Sequence, residues 1–414
     1  MKWTVTILLA AAAVVVLDAQ FADSFVASRD VAQISYSTAP VSNRVSELND
    51  RIRDGRVQLR FDPRSGYLAS VLEALNIPVE SQVATFAKNS FQADLIERKN
   101  PRGVYFSDDS AVGWVRGADL LEVAVHDPKQ GAIFYTLEQK ATAKPELKRE
   151  DGCLACHLSW DTLGVPGFFF MSTLTVPDDP HTYASGFSSD DRKNFDMRWG
   201  GWYVTGDIGS LVHMGNVPVS NTDKPARAAA RTLKSLDTEF DAAGFPARTS
   251  DVVALMVLDH QAHMMNLITR TGWEARLAQN GDPKQTARVE EAAVDLVDYL
   301  LFVYEAPLTS PVHGTSGFAE KFAARGPVDG KGRSLRQLDL NRRLLKYRCS
   351  YMIDSDAFDA MPPLAKNAVY RRLWRILSGV EHGEPYSQLS ASERAAIVEI
   401  LRTTKKDLPD YFRS

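Results

Sequence analysis

Cysteine is scarce in this chain. Three cysteines in 414 residues exclude a scaffold built on disulfides. Cys153 and Cys156 stand three apart, and Cys349 has no cysteine beside it. A structural zinc site commonly wants four ligands, from a second CxxC or an HxxxH, and neither occurs. A surplus of one charge sign is missing too. Lys and Arg number 48 against 52 Asp and Glu, for a net charge of −4. That balance gives neither the basic footprint of a nucleic-acid binder nor a polybasic membrane patch. Beyond residue 17 no apolar run approaches the roughly 20 residues of a membrane span. Repeats and low-complexity tracts are absent after the leader. What remains, 44% hydrophobic and 24% charged, is the composition of a globular protein with a substantial core.

The first residues read as a leader. Met1-Lys2-Trp3 carries one positive charge, and Thr4 to Leu17 is uncharged and apolar. A short apolar run followed by small residues describes a secretory signal peptide. Cleavage is expected after Ala19, with Ala22 as the alternative. The mature chain is then expected to be an exported, soluble protein of the periplasm.

What is present, against the shortage of cysteine and histidine, is Cys153-Leu154-Ala155-Cys156-His157. This is the spacing at which two thiols hold a haem covalently while the adjacent histidine binds its iron. With 3 Cys and 8 His, chance would produce the pattern on the order of a few times in ten thousand chains. A thioredoxin-like dithiol would follow a buried strand. Here a polar stretch, 138–152, leads into the pair. With two thiols committed, Cys349 is expected to be a buried, inert thiol.

The flanking chain predicts an α+β protein. Residues 28–49 are polar and poorly periodic, and read as an extended arm. Residues 66–76 carry a helical pattern. The runs 103–106 with 111–115, and 120–125 with 132–137, read as strands, the second pair joined by a Pro- and Gly-bearing turn. Residues 198–216 suggest a further hairpin around Gly206 to Gly209. Helical periodicity covers 226–243, 250–278, 285–304, 364–377 and 391–403, with Ser250-Asp251 and Ser390 as N-caps and Gly379 as a stop. Residues 307–333 form a loop-rich, glycine-rich connector. The expected organisation is a signal peptide at 1–19, an N-terminal α+β region at 28–150, a haem segment at 151–223 and a helical region at 224–414.

Function turns on the sixth iron position. A second protein ligand makes a closed centre suited to electron transfer, and an open position admits peroxide or a gas. His213 and Met214 lie 56 and 57 residues beyond His157, and His213 is the preferred ligand. If they sit on a strand, only one of the two faces the iron. His260 and His263, at i and i+3 on a helix, are further candidates for iron or a separate metal. Met171, Met352 and His181 qualify on chemistry alone, whereas Met256, Met264 and Met265 read as core. Phe168, Phe169 and Phe170 suit either a porphyrin face or the core. Gly200 and Gly201, between Trp199 and Trp202, suit close approach to a large flat group.

At the five motif residues the chain resembles bacterial c-type cytochromes. The resemblance implies one covalent haem c per chain, thioethers at Cys153 and Cys156, and His157 as proximal ligand. It implies electron transfer with a redox partner that the sequence does not identify. The rest departs from the small class I members, because roughly 130 mature residues precede the motif and more than 200 follow it. Two alternatives follow from that size. One is a peroxidase-like haem enzyme with an open distal position, for which Glu138, Gln139 or His260 would supply acid–base groups. The other is a haem protein that binds a gas or other ligand without turnover.

Overall fold

The computed structural model describes residues 28–173, 186–216, 233–278 and 281–413. The leader, His181 and residues 226–232 of one expected helix lie outside these ranges. The N-terminal part is a six-stranded antiparallel meander, β1 (Val83–Thr85), β2 (Arg102–Phe106), β3 (Ser110–Trp114), β4 (Leu120–Asp127), β5 (Gly131–Glu138) and β6 (Lys148–Arg149), in that spatial order. The C-terminal half is mainly helical, so the α+β class holds.

The β4–β5 hairpin is locally encoded. Asp127 Oδ1 accepts the backbone N–H groups of Lys129 and Gln130, both at 3.0 Å, which folds the turn over Pro128. Gly131 closes it at φ +86, and Asp127 pairs with Gly131 across the strands. A Cβ on Gly131 would meet the Pro166 carbonyl at 2.6 Å. Glycine therefore lets this end of the sheet press on the chain that follows Cys153-to-His157.

Helix α1 (Arg44–Arg53) replaces the last six residues of the expected extended arm. Asn43 and Ser46 form a capping box, and Val45, Leu48 and Ile52 are buried along one stripe. The helical period ran across the boundary that the polar composition suggested. Helix α2 (Leu68–Ala74) falls where expected. After α3 (Leu154–His157) comes a short ladder of β7 (Met171–Thr173) and β8 (Gly186–Ser188).

Residues 198–216 are not a hairpin. They form an irregular double crossing, laced by Met214 N–H to Arg198 O at 2.9 Å and Asn216 N–H to Trp202 O at 2.8 Å. Residues 233–243 hold one 3₁₀ turn, Leu236–Thr238, instead of a continuing α-helix.

Helix α4 (Val252–Leu277) is the axis of the molecule, buried over most of its 26 residues. Asp251 caps it, as the sequence predicts. Helix α5 (Pro283–Leu300) stops four residues before the expected end, because Phe302 and Tyr304 take φ +56 and +67. The connector carries α6 (Phe318–Ala324), and the chain closes with α7 (Asp356–Asp359), α8 (Pro363–Leu377) and α9 (Ala391–Thr404). Gly379, at φ +81, terminates α8 as expected. One apolar core cluster draws on residues from Ile34 to Phe412. No helix among the described residues is long and apolar enough to cross a membrane.

Candidate functional site

Cys153, Cys156 and His157 occupy one short helical turn between strand β5 and helix α4. Glu150 N–H donates to Phe134 O of β5 at 2.9 Å, which hangs the turn from the sheet. Cys153 and Cys156 are three residues apart, so their side chains share a face. Cys156 is exposed, Cys153 is half-buried, and both are free thiols. Burial, chiefly, pushes the Cys153 thiol up to about 12. It therefore stays protonated at neutral pH, unlike a thiolate redox nucleophile.

His157 is held in a defined tautomer. Its Nδ1 lies 2.9 Å from the Gly167 carbonyl. A carbonyl only accepts, so Nδ1 carries the proton and the Nε2 lone pair is free. The ring packs against Phe134 with centroids 4.6 Å apart. Burial also holds the imidazole below its ordinary value, against the opposing pull of the Gly167 carbonyl. A neutral ring with a free Nε2 and an anchored Nδ1–H is what a metal-ligating histidine requires.

Gly167 is fixed in turn. Its N–H donates to His157 O at 2.9 Å. Asn266 of α4 clamps the next residue, accepting from Phe168 N–H at 2.9 Å and donating to Phe168 O at 2.8 Å. A Cβ at Gly167 would stand 2.3 Å from Asn266 Oδ1 and 2.9 Å from Thr162 Cβ. Gly167→Ala is expected to lower stability by about 2–3 kcal/mol and to free the His157 ring. A urea midpoint equal to wild type would show that the loop has room for the methyl group. Gly167 and Asn266 were not singled out from sequence. A lone Asn within the apolar run Met264-Met265-Asn266-Leu267-Ile268 was the available pointer.

The phenylalanines divide. Phe168 and Phe170 join the core, and Phe170 stacks on Trp202 at 4.6 Å and 12°. Phe169 is half-buried. The aromatic surface beside the motif comes from elsewhere. Trp160 is 70% exposed and Phe91 58%, and a Cβ on Gly152 would lie 3.3 Å from Phe91 Cζ. Exposed aromatic side chains thus stand on both flanks of the short helix.

His126, edge-on to Phe168 at 6.2 Å, supplies a pH test. Its Nε2 lies 2.8 Å from Thr269 Oγ1, whose own proton goes to Met265 O. The ring is thus a donor and neutral, and burial pushes it down to about 4 from 6.5. Between those values the unfolded chain binds a proton that the fold refuses. The contribution of His126 to stability is complete above about pH 6.5 and fades as pH falls toward 4. His126→Gln should make stability less pH-dependent in that window, by about 1.4 kcal/mol per pH unit. Parallel urea titrations at several pH values check this, and unchanged slopes would contradict it.

The distal candidates separate clearly. His213 is 2% exposed, and its Nδ1 accepts the Gly215 N–H at 2.9 Å. In the neutral ring the proton must then sit on Nε2. This is the reverse of His157. Nε2 presents an N–H rather than a lone pair, so the hydrogen bonding argues against iron ligation through His213. No hydrogen bond or ring contact among the described residues joins His213 to the motif. Met214 is buried, its Sδ 3.9 Å from Ser172 Oγ, in a turn rather than on a strand.

His260 has both nitrogens committed, Nδ1 to Asp191 Oδ2 at 2.7 Å and Nε2 to Ser350 Oγ at 2.8 Å. It stacks on Tyr299 and Phe302. The connectivity is that of a Ser–His–Asp relay. All three residues are sealed from solvent, and Ser350 Oγ also accepts from Met352 N–H. The relay therefore ties α4 to the chain before and after it instead of presenting a nucleophile. His263 packs on Tyr299, and without a free nitrogen on His260 the pair does not ligate together. Glu138 pairs with Lys148 on the surface, while Gln139 bonds Tyr67 N–H and Leu137 O. Met256, Met264, Met265 and Met352 are core residues, and Cys349 is buried, its thiol held far above the ordinary value by burial.

Met171 differs from these. It is half-buried on β7, four residues beyond Gly167. Its Sδ lies 3.9 Å from Asn89 Nδ2, two residues before the Phe91 that packs at Gly152. The glycines 200 and 201 serve the protein's own backbone, since a Cβ on Gly200 would meet Thr173 O at 2.2 Å.

No group of three or more His, Cys, Asp or Glu among the described residues is arranged to hold a metal ion unaided. The chain matches no protein-family model, no curated protein and no solved structure.

Proposed function

We propose that this chain is an exported, periplasmic c-type cytochrome that carries one covalent haem and transfers electrons. The observation that carries the reading is the His157 tautomer: Nδ1–H anchored on the Gly167 carbonyl, Nε2 free. Cys153 and Cys156 would hold the haem through its vinyl groups, on the same face of one turn, and His157 would bind its iron. The group supplies one-electron chemistry when bound.

The chain's own residues set its surroundings. Gly167 and Asn266 orient His157. Phe134 shields one side of the imidazole. Trp160 and Phe91 would cover exposed edges and exclude water. Met171 replaces His213 as the proposed sixth ligand. Its thioether needs no deprotonation, and the residue is half-buried and outside the core cluster. Glu138, Gln139 and His260 are engaged with Lys148, with Tyr67 and Leu137, and with Asp191 and Ser350, which favours electron transfer over the peroxidase-like alternative.

Export and attachment can be tested together. The protein expressed with residues 1–19, in a host that attaches haem outside the cytoplasmic membrane, is expected to keep its haem after denaturing electrophoresis. The same chain without residues 1–19 should carry none. Haem bound equally well without the leader would refute the export half of the proposal.

A further inference from the structure

The irregular crossing at 198–216 breaks local rules in ways that the proposed cytochrome function does not use. Trp199 is 0% exposed and holds φ +68, a left-handed conformation that a bulky side chain adopts only under constraint. Its indole Nε1–H has no hydrogen-bond partner. The His213 ring lies beside it, with centroids 5.4 Å apart, and its Nε2 also has none. Because Gly215 N–H occupies Nδ1, the orphan atom of His213 is a donor. Two donors on neighbouring rings are thus buried with nothing among the described residues to receive them, at a cost of about 1–3 kcal/mol each.

The cradle around them is rigid. Met214 N–H is tied to Arg198 O, and Asn216 Oδ1 and Nδ2 bond the backbone of Val204 at 2.7 and 2.9 Å. A Cβ on Gly215 would meet Val204 Cγ2 at 2.5 Å. The donors cannot turn away cheaply.

We infer that Trp199 and His213 together hold an oxyanion, a carboxylate-sized monoanion whose two oxygens accept the indole and imidazole protons. The site's charge argues for a monoanion. Both donors are neutral, and the neighbouring Arg198 is spent on Asp259, Asp191 O and Lys193 O. A dianion such as phosphate would bring twice the uncompensated charge onto two neutral donors. Two sources share this chemistry: a free small anion, or a carboxylate of the haem. Only the second rests on the cytochrome reading. It is within reach, because Ser172, which touches Met214, follows Gly167 by five residues, roughly 17 Å of chain at most.

The test uses the full chain labelled with ¹⁵N at His and Trp, haem-free and haem-loaded. The Trp199 and His213 N–H signals are assigned by their loss in Trp199→Phe and His213→Gln. In the haem-free chain both should move downfield together and saturate with sodium nitrite or sodium formate. Trp199→Phe should weaken nitrite about tenfold or more. In the haem-loaded chain, signals already shifted and indifferent to nitrite identify the haem carboxylate as the source. Signals that still titrate identify a free anion. If neither anion nor haem moves them, if only one moves, or if His213 Nε2 proves unprotonated, the inference is overturned. A chain that takes no haem at all still decides the matter in the haem-free titration.

Discussion

Replacing Cys153 and Cys156 together by alanine is expected to remove all covalently bound haem while leaving the fold intact. Both thiols lie at the surface end of one turn, and neither makes a hydrogen bond that holds another element in place. Cys156 is exposed, so its loss should cost well under 1 kcal/mol. Cys153 is half-buried and packs on the core edge, so its truncation should cost about 1 kcal/mol. Cys349 cannot substitute, because it is buried and remote in sequence. His157 would still be held by Gly167 in the double variant, so loosely bound haem that washes out under denaturation is compatible with the account. Haem that survives denaturation in the double variant would contradict it. Mass spectrometry of the intact chain and the urea midpoint are the two readings needed.

Asp251→Ala is expected to lower stability by about 3–5 kcal/mol. Asp251 is fully buried at the head of α4. Its Oδ1 accepts from Val253 N–H at 2.8 Å and Ala254 N–H at 3.3 Å. Its Oδ2 accepts from Thr315 N–H, Ser316 N–H and Ser316 Oγ–H at 2.8, 2.9 and 2.8 Å. One carboxylate thus caps the helix that carries Asn266 and also staples the connector beside α6 to it. Alanine would leave the buried Val253 and Ala254 N–H groups without their acceptor and would release the half-buried Ser316 and exposed Thr315 from the helix head. Asp251→Asn keeps one acceptor oxygen and should cost about half as much. Chemical denaturation with the slope held constant measures both. A loss under 1 kcal/mol for alanine would show that the connector relaxes to recover its bonds.

Sequence patterns revealed those parts of the fold governed by local chemistry. β-prone runs located β2 to β5, the Asp127-to-Gly131 turn located the β4–β5 hairpin, and Asp251, Ser390 and Gly379 marked helix ends. Misreadings came where tertiary contacts overrode pattern. The runs on either side of Gly206 to Gly209 have the β-prone look of a hairpin, yet the backbone at Trp199 to Trp202 is used to approach β7. Phe302 and Tyr304 continue a helical period, but their φ angles end the helix. At the candidate site the ligand types were legible because CxxCH is a short-range pattern. The partner that sets the His157 tautomer was not, since a backbone carbonyl carries no sequence label. His213 shows the same limit in reverse: an imidazole on an apolar segment suggests a ligand, and only the Gly215 N–H at its Nδ1 shows that Nε2 carries the proton.

The most direct test of the account is an absorption spectrum of the exported protein, ferric and ferrous, with and without carbon monoxide. The account predicts a low-spin spectrum that carbon monoxide does not move, and its conversion to a carbon monoxide-sensitive, high-spin form in Met171→Ala but not in His213→Gln. A high-spin wild-type spectrum that shifts with carbon monoxide would contradict the closed electron-transfer centre, and the absence of any haem band would contradict the cytochrome reading itself.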